Sequence, residues 1–461
     1  MSHHLVLDNG SYSIKAGFAG GDVVKIQNAI TKTKDGIIRI GNEFQTHTNN
    51  YSGILFKRPF EQGHLTSWET EKPIWDYVFN KLSPKKELDP SQIHLTLTET
   101  PFQLPQLSTC TDQVVFEEYG FGDYYRCVAG SLIPWVITSE EEPETKTIKS
   151  ESTKKDDKID DKIETTKNTD VNSANGNSTN DSPNDSEPDF ISAPPGVSDF
   201  MLVIDSGYNA TWIIPMIFQT IHWPGVRKLP VGGKLLNGLL REVISFRHYD
   251  VSDEPILVNT IKESTCFIAN DYYSSLANRQ KLACEFVLPD FKTTTTGFLK
   301  TKDTPLTYDQ QTLKLADERF SVPEAFYHPE IIFDGNSSTA SSTIVQNTSL
   351  KNLTDLVVES IYACPETARP LLLANISLVG GSTYLQNFES RLVLEITKEL
   401  PLQWFVRIRK GPENIKRDEI SWQGGVNLTS QDVMSSISIS KKEYFEHGSN
   451  WCQKQFGFKN V

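Results

Sequence analysis

The 461-residue chain predicts an α/β fold of two related lobes. Each lobe is expected to be a mixed, five-stranded type of sheet flanked by helices, with a nucleotide cleft between the two. Three observations carry this expectation. Leu5-Val-Leu-Asp-Asn-Gly-Ser11 and Leu202-Val-Ile-Asp-Ser-Gly-Tyr208 repeat one pattern, an apolar strand entering an aspartate and a small-residue turn, with second strands over 13–17 and 210–215. A third apolar strand, Ile376-Ser-Leu-Val-Gly-Gly-Ser382, ends in a Gly-Gly turn. Helical and strand-like patterns alternate along most of the remaining chain.

One Asp-Gly turn between apolar strands is an ordinary hairpin signal. Two copies say more. Paired turns whose backbone N–H groups converge make a phosphate cradle, and an aspartate on each can hold the hydrated metal ion of a nucleotide. Among the helices, Thr66-Ser-Trp-Glu69 has capping-box spacing, and Ile74, Trp75, Val78, Phe79 and Leu82 then share one face. Leu235, Leu236, Leu239, Leu240 and Val243 do the same after Gly232-Gly233. Both stripes read as core packing.

The length allows a large core and two to three domain-sized units. No apolar run is long enough to cross a bilayer, and Met-Ser-His-His-Leu-Val-Leu-Asp carries no secretory pattern. Six cysteines lie scattered without Cys-x-x-Cys spacing, which suggests neither zinc nor a disulfide framework and fits a reducing compartment. The net charge is −14, but residues 139–199 hold 16 acidic and 7 basic side chains and so account for −9 of it. The other 400 residues carry about −5, which argues against the folded body being a nucleic-acid grip, since that would need a basic face. Residues 139–199 are an Asp/Glu/Lys run followed by an Asn/Ser/Asp/Pro tract, expected to be disordered for want of apolar surface. A tolerated, solvated spacer is preferred over a histone-binding acidic tail. A second polar insert, 333–349, is expected to be a flexible loop.

Longer stretches resemble actin. Asp8 to Gly20 is similar to its first phosphate loop, and Arg58-Pro-Phe-Glu-Gln-Gly-His-Leu-Thr-Ser-Trp-Glu69 with Ile74-Trp-Asp76 to the approach to its first long helix. Leu97-Thr-Glu-Thr-Pro101, Val226 to Gly233, Ile261-Lys-Glu263, Phe320 to Ala325 and Ile439 to Tyr444 follow in the same order. Within the actin-related proteins, Glu117-Glu-Tyr119, Ser245 to Tyr249, Val287 to Phe291 and Tyr444 to Cys452 are similar to the actin-related protein 6 branch, in its fungal type. The resemblance implies a first lobe at 1–138 with a short second subdomain, the insert at 139–199, a second lobe at 200–384, and a return into the first lobe over 385–461.

It also implies a site. Asp8 and Asp205 match the carboxylates that hold metal-bound water, and Asn9, Gly10, Ser11 and Tyr12 match the first turn. Lys15 matches the phosphate-contacting lysine; Ser206, Gly207 and Tyr208 match the second turn. Lys262 and Glu263 match the base and ribose side, and Gly380, Gly381, Ser382 and Tyr384 the stretch against the adenosine. The implied cofactor is ATP or ADP with magnesium. Three departures from actin stand out. Tyr12 replaces a glycine, Tyr208 replaces the third acidic residue, and Val128, Ala129 and Gly130 stand nearest the water-positioning glutamine. No Gln, Glu or His lies between Tyr124 and Pro134. Binding without appreciable turnover is therefore expected, with no catalytic residue. The tyrosines could alternatively fill part of the cleft themselves.

The resemblance implies a non-polymerising scaffold subunit of a nuclear ATP-dependent chromatin remodeller that exchanges the Z variant of the H-two-A histone. The expected neighbours are the large motor subunit and a zinc-finger HIT subunit, with histones or nucleosome met indirectly and no membrane. Residence in the nucleus, also in the cytoplasm, and a part in transcription regulation follow. The alternative is an ATP-hydrolysing cytoskeletal filament former, which the shortened segment between Asp22 and Ile54 opposes. A sugar kinase or chaperone ATPase of the same wider fold explains the twin turns but not the ordered blocks. The ending Tyr444, Phe445, Trp451, Phe456 and Phe458 is a candidate docking surface; the competing expectation is that Tyr444 and Trp451 cap the first lobe.

Overall fold

The computed structural model describes residues 3–47, 51–83, 88–136, 197–292, 294–301, 310–332 and 351–457. The acidic stretch lies outside the described residues except for 197–199, as do the insert 333–349 and Phe458.

Strands β1 (His3–Asn9), β2 (Ser13–Phe18), β3 (Val24–Gln27), β4 (Ile93–Glu99) and β5 (Asp123–Val128) build the first lobe's sheet. Their order is β5-β4-β1-β2-β3, and Ile439–Ser440 adds a sixth strand beside β5. β1 runs antiparallel to β2 and parallel to β4. The second lobe repeats this arrangement with β6 (Phe200–Ser206), β7 (Thr211–Ile217), β8 (Thr220–Ile221), β9 (Arg227–Leu229) and β10 (Ile376–Val379). Here β6 runs antiparallel to β7 and parallel to β10. In each lobe an Asp-turn hairpin thus has a parallel strand on its other side, and that duplication points both turns at one cleft. The two hairpins place Asp8 opposite Lys15 and Asp205 opposite Trp212.

Helix α1 (Trp68–Leu82) backs the first sheet through Ile74, Trp75 and Val78, all buried. The capping box read at Thr66–Glu69 is not formed. The N-cap is Ser67, its hydroxyl bonds the Thr70 side chain, and Thr66 Oγ1 bonds the Pro59 carbonyl. Helix α2 (Gly233–Arg247) buries Leu236, Leu240 and Ile244 in the second core, with Leu235 and Leu239 at its margin and Val243 half-buried.

Helix α3 (Phe388–Glu399) still packs in the second lobe, where Phe388, Leu392 and Ile396 are buried among Leu202, Leu353 and Val357. The return to the first lobe comes after α3 and not at residue 385: Arg409 donates to the Val136 carbonyl, Asp418 pairs with Lys25 of β3, and α4 (Ile420–Thr429) lies against β1. A smaller apolar cluster joins the lobes beneath the cleft: Val128 and Ile133 meet Met201, Val203, Ile214 and Val379. Gly130 belongs to this hinge, since a Cβ there would stand 2.8 Å from Ile214 Cδ1.

The aromatic ending folds inward. Tyr444 and Cys452 are buried in the first core with Trp451 and Phe456 packed on it, and Tyr444 stacks on Phe116 at 4.5 Å. Cys452 and Phe456 share a face of α5 (Ser449–Phe456) by their i,i+4 spacing, which presents the thiol and the ring together to the sheet. Of the proposed docking residues that are described, only Phe445 is exposed, at 61%.

Candidate functional site

The cleft between the hairpins is a cavity of about 540 Å³, within the range of small-molecule sites. On its floor, Asp8 accepts from Thr98 Oγ1 (2.8 Å) with one oxygen and from Lys15 Nζ (3.0 Å) with the other. Burial works against the Lys15 ammonium, but the Asp8 carboxylate outweighs it and raises its pKa. Across the cleft, burial and then the Asp8 charge push the Asp205 carboxyl up to about 6. Two carboxylates facing one cleft are a donor pair that would suit a hydrated divalent cation.

The turns present backbone donors to the cleft. Among the described residues, the backbone N–H groups of Ser11, Tyr12, Tyr208 and Asn209 donate to no protein acceptor. Such N–H groups at two facing turns fit phosphate oxygens. Close packing shapes the second turn: Gly380, at φ +89°, would put a Cβ 2.4 Å from the Ser206 carbonyl oxygen. Ser382 Oγ donates to the Gly207 carbonyl at 3.2 Å.

Lys262, Glu263, Gly380, Gly381, Ser382 and Tyr384, the residues expected on the nucleoside side, all lie on the cavity wall. Lys262 is buried, which lowers its pKa, and its amine donates to Asn259 Oδ1 at 3.1 Å. Glu263 accepts from Asn259 Nδ2 at 2.9 Å. The Tyr384 hydroxyl donates to Asp418 (3.3 Å) and accepts from the Arg417 N–H (2.9 Å).

Two expected residues sit differently. Ser206 is off the cavity wall, fully buried, its hydroxyl 2.8 Å from Thr211 Oγ1. Asn9 reaches the wall, but its side-chain oxygen faces the core and the Trp75 indole N–H, 3.4 Å away.

The structure also brings in residues that the sequence did not single out. Arg58 lies against both the Tyr12 and Tyr208 rings, 4.8 and 4.9 Å from their centroids. The first turn is braced from behind by Asn28, whose amide donates to the Gly10 carbonyl (3.1 Å) and to Glu71 (3.3 Å). Glu99 reaches the cavity wall with both oxygens engaged, one by Arg126 and the other by Ser108 Oγ. Val128 and Ala129 line the wall beyond it. Arg58 and Glu99 fall inside actin-like blocks but were given no role, because their partners are remote in sequence.

The comparisons with known proteins agree with this architecture. The actin family profile matches residues 2–457. The chain is 55% identical to actin-like protein ARP6 of Debaryomyces hansenii over 461 residues, covering 99% of both chains. It is 52% identical to actin-like protein ARP6 of Candida albicans, over 99% of this chain and 98% of that one. To actin-like protein ARP6 of Saccharomyces cerevisiae it is 35% identical, again over 99% and 98%. With its duplicated Asp-turn lobes and the cleft between them, the chain belongs to the actin family.

Proposed function

We propose that this chain is a non-polymerising, actin-like scaffold subunit of a nuclear chromatin remodeller that exchanges the Z variant of the H-two-A histone. In this reading it binds ATP or ADP with magnesium as a structural ligand and does not turn it over. Its neighbours are the large motor subunit and a zinc-finger HIT subunit, and it meets histones indirectly. Likeness to three fungal proteins named actin-like protein ARP6 supports the branch.

One observation carries the non-catalytic part: the wall beyond the two turns is Val128 and Ala129. Neither side chain can orient an attacking water. The nearby carboxylate, Glu99, spends both oxygens on Arg126 and Ser108. Phosphoryl transfer depends on positioning and electrostatics, so a cleft that binds phosphates without a water-positioning group holds nucleotide and leaves it intact. The residues for holding it are Asp8 and Asp205 toward the metal's waters, the turn N–H groups toward phosphate, and Lys262 and Glu263 toward the nucleoside.

Affinity purification of the tagged chain with mass spectrometry tests the scaffold role, and a multi-subunit remodeller is the expected company. Recovery alone or in a filament pellet overturns it. Denaturing the purified protein and identifying the released nucleotide tests the ligand. Multiple-turnover phosphate release by the pure chain, above that of monomeric actin, refutes the non-catalytic reading.

A further inference from the structure

We propose that Tyr12, Arg58 and Tyr208 form a built-in clasp that holds the two lobes closed at the phosphate end of the cleft, so that closure does not wait for a bound nucleotide. Tyr12 belongs to the first lobe's turn and Tyr208 to the second's, and their ring centroids are 5.1 Å apart, tilted by 45°. The guanidinium of Arg58 lies against both rings at once. Its Nη1 is fixed on the first lobe by the carbonyls of Tyr12 and Asn28, each at 3.0 Å, and of Ser11 at 3.5 Å. A cation pinned to one lobe and laid over an aromatic face of the other is a directional attraction that strengthens as water is excluded. All three groups are half-buried, and burial and then the Glu263 charge push the Tyr12 phenol up to about 12.

In a two-lobed cleft whose turns are bare, only a ligand's phosphates can bridge turn to turn. This chain bridges them with its own side chains. The rings project from the same turns whose N–H groups stay unpaired, so the clasp acts where a nucleotide's phosphates would bridge. A second seam crosses the cleft on the other side. Phe102 of the first lobe, strained at φ +53°, reaches the Trp223 and Trp212 rings of the second at 5.2 and 6.3 Å. Lys228 Nζ donates back across to the Gln62 carbonyl at 3.4 Å. Ser52 against Glu254 is a further contact between the lobes, so closure is held at several points, and the clasp is the one that joins the two Asp-turns.

The clasp goes beyond the proposed structural nucleotide and does not depend on it. Spin labels on exposed Cys110 in the first lobe and on Tyr273→Cys in the second, 72% exposed, with Cys284→Ser to remove a competing thiol, report the interlobe distance in the full chain. After apyrase and EDTA, the otherwise unaltered chain is expected to keep the single distance seen with magnesium–ADP. Tyr12→Gly with Tyr208→Ala should raise the open, longer-distance fraction about tenfold or more on stripping, and magnesium–ADP should restore closure. Arg58→Lys keeps the charge but loses the planar face and the three-carbonyl grip; it should move in the same direction, and it serves where the double variant does not fold. A stripped chain that opens with its clasp intact overturns the proposal, as do clasp variants that stay as closed as the parent. A closed chain that releases no nucleotide on denaturation leaves the clasp standing and removes the ligand from the proposed function.

Discussion

Glu71 is fully buried one turn before Trp75, and its carboxyl braces the first Asp-turn through Asn28 and the Trp75 indole, which donates to it at 3.0 Å. Burial outweighs these hydrogen bonds and pushes its pKa up to about 7. One oxygen has no partner among the described residues, as suits a protonated acid. The sign follows from proton counting. Between the ordinary carboxyl pKa near 4.5 and about 7, the folded chain binds this proton and the unfolded chain does not. The group's contribution is therefore present at low pH and is lost as pH rises through that window, by at most about 3 kcal/mol. Urea midpoints measured from pH 5 to 8 should show this loss, and Glu71→Gln, which mimics the acid, should flatten it. A variant with the parent's pH profile would assign the slope to other buried acids, such as Asp112 and Glu324, which burial also pushes up to about 7.

Three elements of the first lobe are riveted by one ion cluster. Arg126 on β5 is 2% exposed and holds Asp112, on the helix Pro105–Gln113, at 2.9 and 3.2 Å; it also holds Glu99 at the end of β4. Removing the cation strands two buried carboxylates, and a broken buried pair costs about 3–5 kcal/mol. Arg126→Leu is expected to lose about that much in chemical denaturation. Asp112→Asn should lose less, because Arg126 keeps Glu99 and burial already favours the protonated Asp112 acid. Equal losses would show that packing and not charge sets the cost. Nothing local marks this cluster, whose members are a dozen or more residues apart and meet only through strand register. Asp8 and Asp205, by contrast, were legible because a repeated local pattern names them twice. Two errors were avoidable from periodicity. Adjacent strand residues face opposite ways, so with Asp205 in the cleft Ser206 must turn inward. The i,i+4 spacing of Cys452 and Phe456 likewise points both at the core.

Across the whole molecule, the two lobes meet at the hinge as well as at the clasp, and the hinge depends on how closely α4 approaches the short helix Ala129–Leu132. At Gly424 on α4, an added Cβ would sit 1.9 Å from the Leu132 carbonyl oxygen and 2.7 Å from its carbon. Those are backbone atoms that cannot rotate away, so the helices must separate, and the apolar cluster of Val128, Ile133 and Ile214 beneath the cleft loosens with them. Gly424→Ala is expected to cost about 3 kcal/mol, the upper part of the range for overpacking. The same change at Gly238, mid-way along α2, meets nothing within 4 Å. There the helix propensity of alanine governs, and Gly238→Ala should gain about 0.5–1 kcal/mol. Chemical denaturation of the two variants therefore separates contact from propensity, because one chemical change carries opposite signs at two helical sites. Neutral behaviour at Gly424 would mean that α4 can slide on the Ala129–Leu132 helix, and the lobes would then be held together by the cleft contacts alone.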